Sequence, residues 1–225
     1  MSKREKRRNE RQAAVLKAAT DLINKSGFDA VTMQSIAAAI GASVGGLYRY
    51  FPNKESIFSA LQMDAIAVFD GLIAERHSKI SEPSSRFELL SRLVQDFESW
   101  SAFRRTQPVQ FALLETFINT PQRTLDEAGR EAVNPSISVV LSRITASLED
   151  CVQAGALKPG PSGTRTYMLW AAMHGVEQLS KRDDDTETHC QSSVVRQMLI
   201  RDLLISWGAM KGLVDHVLNT GSTSD

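Results

Sequence analysis

Between Thr32 and Lys54 the chain reads TMQSIAAAIGASVGGLYRYFPNK, and this stretch leaves the backbone little freedom. Thr32, Ser43 and Asn53 each stand one residue before a helix-compatible run, where a side-chain oxygen can accept from the orphan N–H groups of a first turn. Gly41 suits the left-handed conformation that closes a helix, and Pro52 has no N–H to donate into a continuing one. Only Ala42 lies between Gly41 and Ser43. The two helices must therefore meet at a sharp angle, and the spacing predicts a helix-turn-helix over about residues 32–51.

The apolar residues agree with that reading. Met33, Ile36, Ala37 and Ile40 recur at helical spacing, and Leu47 and Phe51 lie one turn apart. The other face of the second helix carries Val44, Gly45, Tyr48 and Arg49, with Tyr50 near its edge. Two adjacent glycines weaken so short a helix by about 1 kcal/mol each relative to Ala, so a neighbouring helix or a nucleic-acid backbone is expected to approach closely there. Upstream, Val15, Ala18, Ala19, Leu22 and Ile23 form the stripe of a supporting helix over Gln12 to Ser26 that Gly27 ends.

Gly41, Ala42, Ser43, Gly45, Leu47, Tyr48, Phe51 and Lys54, with Gly27-Phe28 and Val31-Thr32 ahead of them, resemble the DNA-binding signature of the TetR family of transcriptional regulators. The likeness covers about Arg11 to Leu61; beyond Leu61 it is one of architecture only. It implies an all-α protein with an N-terminal three-helix helix-turn-helix domain and a C-terminal helical bundle for ligand binding and dimerisation. It also implies that Thr32, Gln34, Ser43, Val44, Gly45, Gly46, Tyr48, Arg49, Tyr50 and Lys54 face DNA. The chemistry suits them: an amide such as Gln34 can pair with adenine, Val44 can touch a thymine methyl, Tyr48 and Lys54 can reach phosphate, and Arg49 can reach either phosphate or guanine. For Tyr48 a surface aromatic covering Leu47 is the alternative, and for Gln34 a solvated amide.

Charge is distributed to match. The net charge is zero, yet residues 1–62 hold ten Lys or Arg against five Asp or Glu, so the rest of the chain is acidic. Residues 1–11 carry Lys3, Arg4, Lys6, Arg7, Arg8 and Arg11 without an apolar partner and are expected to form a mobile arm. A solvated tail and an extension reaching phosphate or an adjacent minor groove fit them equally. The expected division is an arm at 1–8, a DNA-binding domain at 9–69, an effector and dimerisation domain at 70–218 and a flexible tail at 219–225.

From Lys54 to about Lys79 the pattern predicts one long helix, either a lever between the domains or a plain connector. Helices are then expected after Ser85, after Pro108 and after Pro135, from Thr164 to Lys181, and from Ser192 to Val217; no stretch alternates as a strand does. Breaks are placed at Glu82 to Ser85, at Asn119-Thr120-Pro121 before an intermediate piece over Gln122 to Val133, and at the acidic run Arg182 to Glu187. The helices Thr164 to Lys181 and Ser192 to Val217 would pair with a second copy, giving a homodimer.

A small-molecule effector would find Phe69, Phe97, Trp100, Phe111, Phe117, Trp170 and Met173, with Glu115 and His174 as polar residues among them. Each is also explained as ordinary core. Neither a cofactor nor a metal is expected, since Cys151 and Cys190 fit no ligand spacing and read as reduced thiols. The N-terminus has no apolar stretch after its basic residues, which leads to an expectation of a cytoplasmic protein. The function expected is a sequence-specific, ligand-responsive repressor on a palindromic duplex, and not an enzyme, because no nucleophile elbow, phosphate loop or paired-carboxylate motif appears. A nonspecific DNA-binding protein and a helical-bundle enzyme are the alternatives.

Overall fold

The computed structural model describes residues 2–80, 83–119, 125–185 and 187–221. Ser2 begins the first helix, α1 (Lys3–Ser26), by a reciprocal cap: its hydroxyl accepts from the Glu5 N–H while the Glu5 carboxylate accepts from the Ser2 N–H. The expectation of a mobile arm over residues 1–11 is thereby corrected. Lys3 to Arg11 are the first turns of a helix that the Ser2 cap starts upstream of the apolar stripe. Val15, Ala18 and Ala19 bury that stripe, and Gly27, at φ +79°, ends the helix as its sequence suggests.

A turn of 3₁₀ helix, Phe28–Ala30, leads to α2 (Met33–Ala39), and Gly41, at φ +63°, turns the chain toward α3 (Val44–Tyr48). Asn53 Oδ1 accepts from the Ser56 N–H at 2.8 Å and starts α4 (Lys54–Ser78). Val15, Ala19, Val31, Ile36, Leu47, Phe51, Ile57 and Phe58 are buried between these elements. By mean hydropathy and length α4 could cross a membrane, yet half of its most apolar window is buried inside the protein, as in the core helix of a soluble fold.

By packing, the chain forms two compact units, Met1–Val68 with Gln107–Ile137 and Phe69–Thr106 with Ser138–Asp225. This grouping has one boundary between Val68 and Phe69. It brings α6 (Pro108–Asn119) into the first unit, where Phe117 meets Phe28 and Phe58 with ring centroids 5.9 and 6.1 Å away. Phe28 and Phe58 are themselves 5.8 Å apart, so three rings from distant parts of the sequence close one cluster.

The second unit holds α5 (Arg86–Thr106), α8 (Ser162–Leu179), α9 (Ser192–Ser206) and α10 (Lys211–Gly221), with the end of α4 and the later part of α7 (Glu127–Gln153). Here α5 packs on α8 and α10, and α9 packs on the same two helices. Ser85 caps α5, its hydroxyl accepting from the Glu88 N–H, and the hydrogen bonds returned to Glu88 by Ser84 and Ser85 hold that carboxyl below its usual range. Ion pairs tie the unit across its length. Arg143 grips Asp70 with two hydrogen bonds of 2.9 and 3.1 Å, and His77 Nε2 lies 2.5 Å from the buried Asp96 carboxylate. Glu177, also buried, accepts from Ser101 and from Arg104, with Arg196 3.6 Å away.

Two helix boundaries differ from expectation. Pro135 does not start a helix but lies inside α7, because Asp126 Oδ1 accepts the Gly129 N–H and begins the helix earlier, while buried Val133 and Val140 carry it past the proline. The helix expected over Ser192 to Val217 is broken between α9 and α10, where Gly208 adopts φ +97°. A tertiary partner favours that break: the Lys158 N–H donates to the Trp207 carbonyl at 2.9 Å, and the Arg165 guanidinium lies over the Trp207 ring. No strand occurs among the described residues. The tail expected over 219–225 does not start at 219, since α10, with Val217 and Leu218 buried and the Thr220 hydroxyl donating to the His216 carbonyl, continues to Gly221; the break placed at Glu82, the stop at Thr120-Pro121 with Gln122 after it, Thr186 of the acidic run and residues 222–225 lie outside the described residues.

Phe117→Ala should lower the unfolding free energy in urea by about 3–5 kcal/mol, the usual cost of emptying a buried aromatic site. Cys151 is buried and Cys190 exposed, both as free thiols, and burial pushes the Cys151 thiol up to about 12. Iodoacetamide at mildly alkaline pH should therefore alkylate Cys190 in the native protein and reach Cys151 only after denaturation, as read by peptide mass spectrometry.

Candidate nucleic-acid interface

The first unit fixes its short helices by side-chain caps, and each cap leaves a polar residue at the surface. Thr32 Oγ1 accepts from the Ser35 N–H at 3.0 Å and Ser35 Oγ from the Thr32 N–H at 2.9 Å, which orders the start of α2. Ser43 Oγ accepts from the Gly46 N–H at 3.1 Å and does the same for α3. A five-residue helix is too short to persist alone. Leu47, 1% exposed, anchors it to the core.

With Leu47 inward, the opposite side of α3 faces out. Gly45 and Arg49 are exposed, Tyr48 is 50% exposed, and Val44, Gly46 and Tyr50 are half-buried. Thr32 and Gln34 on α2 and Ser43 in the turn are exposed as well. Lys54 is half-buried at the start of α4, its ammonium 5.1 Å from the centre of the Phe58 ring, so a cation–π contact steadies it beside this surface.

The two glycines have different reasons. A Cβ on Gly46 would come within 3.1 Å of the Ser43 hydroxyl, so the absence of a side chain there serves the cap. At Gly45 a Cβ would meet nothing within 4 Å. Among the described residues no neighbouring helix comes within 4 Å of that position, so a side chain there would project outward from α3.

Beside this helix lies an open cleft of about 260 Å³, bounded by Arg11 and Val15 of α1, the turn Ile40 to Ser43, and Gly46, Leu47, Arg49 and Tyr50. Arg11 and Arg49 bring two guanidinium groups to one recess. Arg11 belongs to the basic run for which solvation and contact with phosphate fit the sequence equally, and its position a turn before Val15 brings it to this recess.

The residues considered for an effector do not gather into one group. Phe111, Glu115 and Phe117 belong to the first unit, and Phe69, Phe97, Trp100, Trp170, Met173 and His174 to the second. Within the second unit Phe69 meets Trp100 edge-on at 5.3 Å, and His174 stands 6.3 Å from both Trp100 and Trp170. Phe103 joins this line at 5.1 Å from Phe69. Phe69, Phe97, Trp100 and Met173 are buried, whereas Trp170 is 38% exposed and makes an edge contact with exposed Tyr167. The buried pairs His77–Asp96 and Glu177–Arg104 were not legible in advance, since their members lie 19 and 73 positions apart and carry no periodic signal.

Comparison with known proteins bears on this surface directly. Residues 15–61 match the family model described as bacterial regulatory proteins, tetR family. Over 164 residues, 71% of this chain and 79% of the relative, the sequence is 27% identical to the uncharacterized HTH-type transcriptional regulator YhgD of Bacillus subtilis (strain 168). Over 53 residues it is 47% identical to the nucleoid occlusion factor SlmA of Haemophilus ducreyi; that match takes in 23% of this chain and only 26% of the relative. In three dimensions it is similar to FadR of Bacillus subtilis, solved in complex with stearoyl-CoA, with a TM-score of 0.60 over 88% of this chain and 98% of that one. At 19% identity this last likeness is one of fold.

Gly45→Ala separates folding from contact. The change should raise unfolding free energy by about 1 kcal/mol, the helix-propensity difference, because the new methyl meets nothing in the protein. The same variant should bind DNA more weakly than the parent. Thermal melts and fluorescence anisotropy on a labelled duplex measure the two effects independently.

Proposed function

This chain belongs to the TetR family of DNA-binding transcriptional regulators, and from that premise we propose that it acts as a homodimeric repressor that leaves a palindromic operator when a small molecule binds. The observation that carries this reading is the outer side of α3, where Gly45 stands open and Tyr48 is 50% exposed while Leu47 is buried beneath them. A helix held in that way can enter a major groove. Its exposed groups match the work: Arg49 and Tyr48 suit phosphate, Gln34 suits an adenine edge, and Thr32 and Ser43 place hydroxyls beside helix starts. Val44, Gly46, Tyr50 and Lys54 complete the proposed contact surface.

Dimerisation is supported by apolar side chains left exposed on adjacent helices of the second unit. Tyr167, Met168, Trp170 and Leu179 on α8 and Met198 on α9 are each 38–58% exposed. A symmetric pair would cover them and set the two α3 helices about 34 Å apart, one helical repeat of the duplex. After the break at Gly208, α10 packs against α5, which supports α8 and α9 as the helices that would pair.

An effector with a substantial apolar part suits the line Phe69, Trp100, His174 and Trp170, with Phe97 and Met173 buried in the same unit. FadR of Bacillus subtilis was solved with stearoyl-CoA, a ligand of that kind. Phe111, Glu115 and Phe117 belong to the other unit and are not part of this line.

Gel shifts on duplexes selected from a random pool by the wild-type protein test the reading. Tyr48→Ala should lower affinity about tenfold or more, from a hydrogen bond to a charged phosphate worth ~1.5–3 kcal/mol, with the melting curve unchanged because the side chain is exposed. Met198→Glu should yield monomers by sedimentation and weaken binding further. Equal affinity of the wild type for selected and random duplexes would replace operator reading by nonspecific binding.

A further inference from the structure

The first three turns of α1 have no role in the packing of the protein. Residues 2–11 are exposed throughout, and among the described residues none of Lys3, Arg4, Lys6, Arg7, Arg8 and Arg11 has an ion pair. Their arrangement is one-sided. At about 100° per residue, Lys3, Arg4, Arg7, Arg8 and Arg11 fall within an arc of roughly 140°, with Arg11 near its middle. Spacings of four residues between Lys3 and Arg7, Arg4 and Arg8, and Arg7 and Arg11 set like charges face to face, which disfavours the helix in isolation. A tail kept only for solubility gains nothing from such a stripe.

Arg11 shows where the stripe leads. It lines the 260 Å³ cleft together with Arg49 and the turn before α3, so the cationic side of α1 runs continuously into the proposed DNA-binding face. We infer that this stripe is a second DNA-binding element, a rigid helical outrigger that lies on duplex phosphates outside the half-site covered by α3. The inference rests on the DNA-binding reading of α3 and adds to it a surface of another kind.

The helical state decides how the outrigger binds. An α-helix with its side chains is about 10–12 Å across. A minor groove is about 6 Å wide, so this helix cannot enter it as an extended arm does. It contacts the backbone and reads no flanking base. Lys3 to Arg11 spans about 13 Å at 1.5 Å per residue. Laid along the duplex axis, that covers about four base-pair steps of 3.4 Å.

The test uses the whole chain and a duplex selected from a random pool, prepared once with flanks of ~8 base pairs on each side and once trimmed to the two half-sites covered by α3. The quadruple variant Lys3→Gln, Arg4→Gln, Arg7→Gln, Arg8→Gln should lower the slope of log K against log salt by about 2–4 per protomer on the flanked duplex. On the trimmed duplex variant and wild type should bind alike, and the ratio of selected to random affinity should hold. The charge-conserving variant Arg4→Lys, Arg7→Lys, Arg8→Lys should keep the wild-type slope, since a point charge suffices for a phosphate. Far-UV circular dichroism confirms that both variants retain their helix. An unchanged slope with the Gln variant overturns the proposal, and so does a loss of equal size on both duplexes or a base preference in the flanks that the Gln variant abolishes. A wild type with no preference for the selected duplex would instead overturn the operator reading, and the slopes on random duplex would still judge the outrigger.

Discussion

Burial of Leu47 is the constraint on which the proposed DNA-facing surface depends. Five residues with two glycines among them, VGGLY, do not make a helix by propensity, and the side-chain cap from Ser43 satisfies only one N–H. What holds α3 is the fixed position of one leucine in a core made by α1, α2 and α4. Leu47 also sets the direction of the helix. With that side chain inward, Gly45, Tyr48 and Arg49 have no alternative to facing out, so specificity of orientation comes from an apolar contact and specificity of chemistry from the polar groups opposite.

The parts of this fold legible in the sequence are those governed by neighbours in the chain. Thr32, Ser43 and Asn53 cap the helices they precede, and Gly27 and Gly41 adopt the positive φ that their positions require. Each of these is a local interaction within four residues. The first turns of α1 are local too, but the signal there was the pair Ser2 and Glu5, a capping box masked by the run of charge around it. Composition suggested an arm where two side chains had specified a helix.

What was not legible depends on partners far along the chain. Nothing near Trp207 ends a helix except Gly208, and a glycine alone is an ambiguous stop; the Lys158 N–H and the Arg165 guanidinium, some fifty residues earlier, hold that corner. The effector candidates illustrate the same limit. Aromatic residues at helical spacing are visible as buried, yet whether Phe117 faces Trp100 or Phe28 is a matter of tertiary packing, and the rings with which it clusters are Phe28 and Phe58. Buried pairs such as His77 with Asp96 depend on the meeting of α4 and α5, which no periodicity encodes.

The aromatic cluster of Phe28, Phe58 and Phe117 bears on how such a protein can be recombined. A fragment cut after α4 would carry two of the three rings to its surface with nothing to cover them, and a chimera joined at that point would pair them with a foreign segment of different shape. Exchanging the second unit of this protein for another therefore means keeping residues 107–137 with the helix-turn-helix unit, so that the transferable module is discontinuous in sequence although contiguous in space.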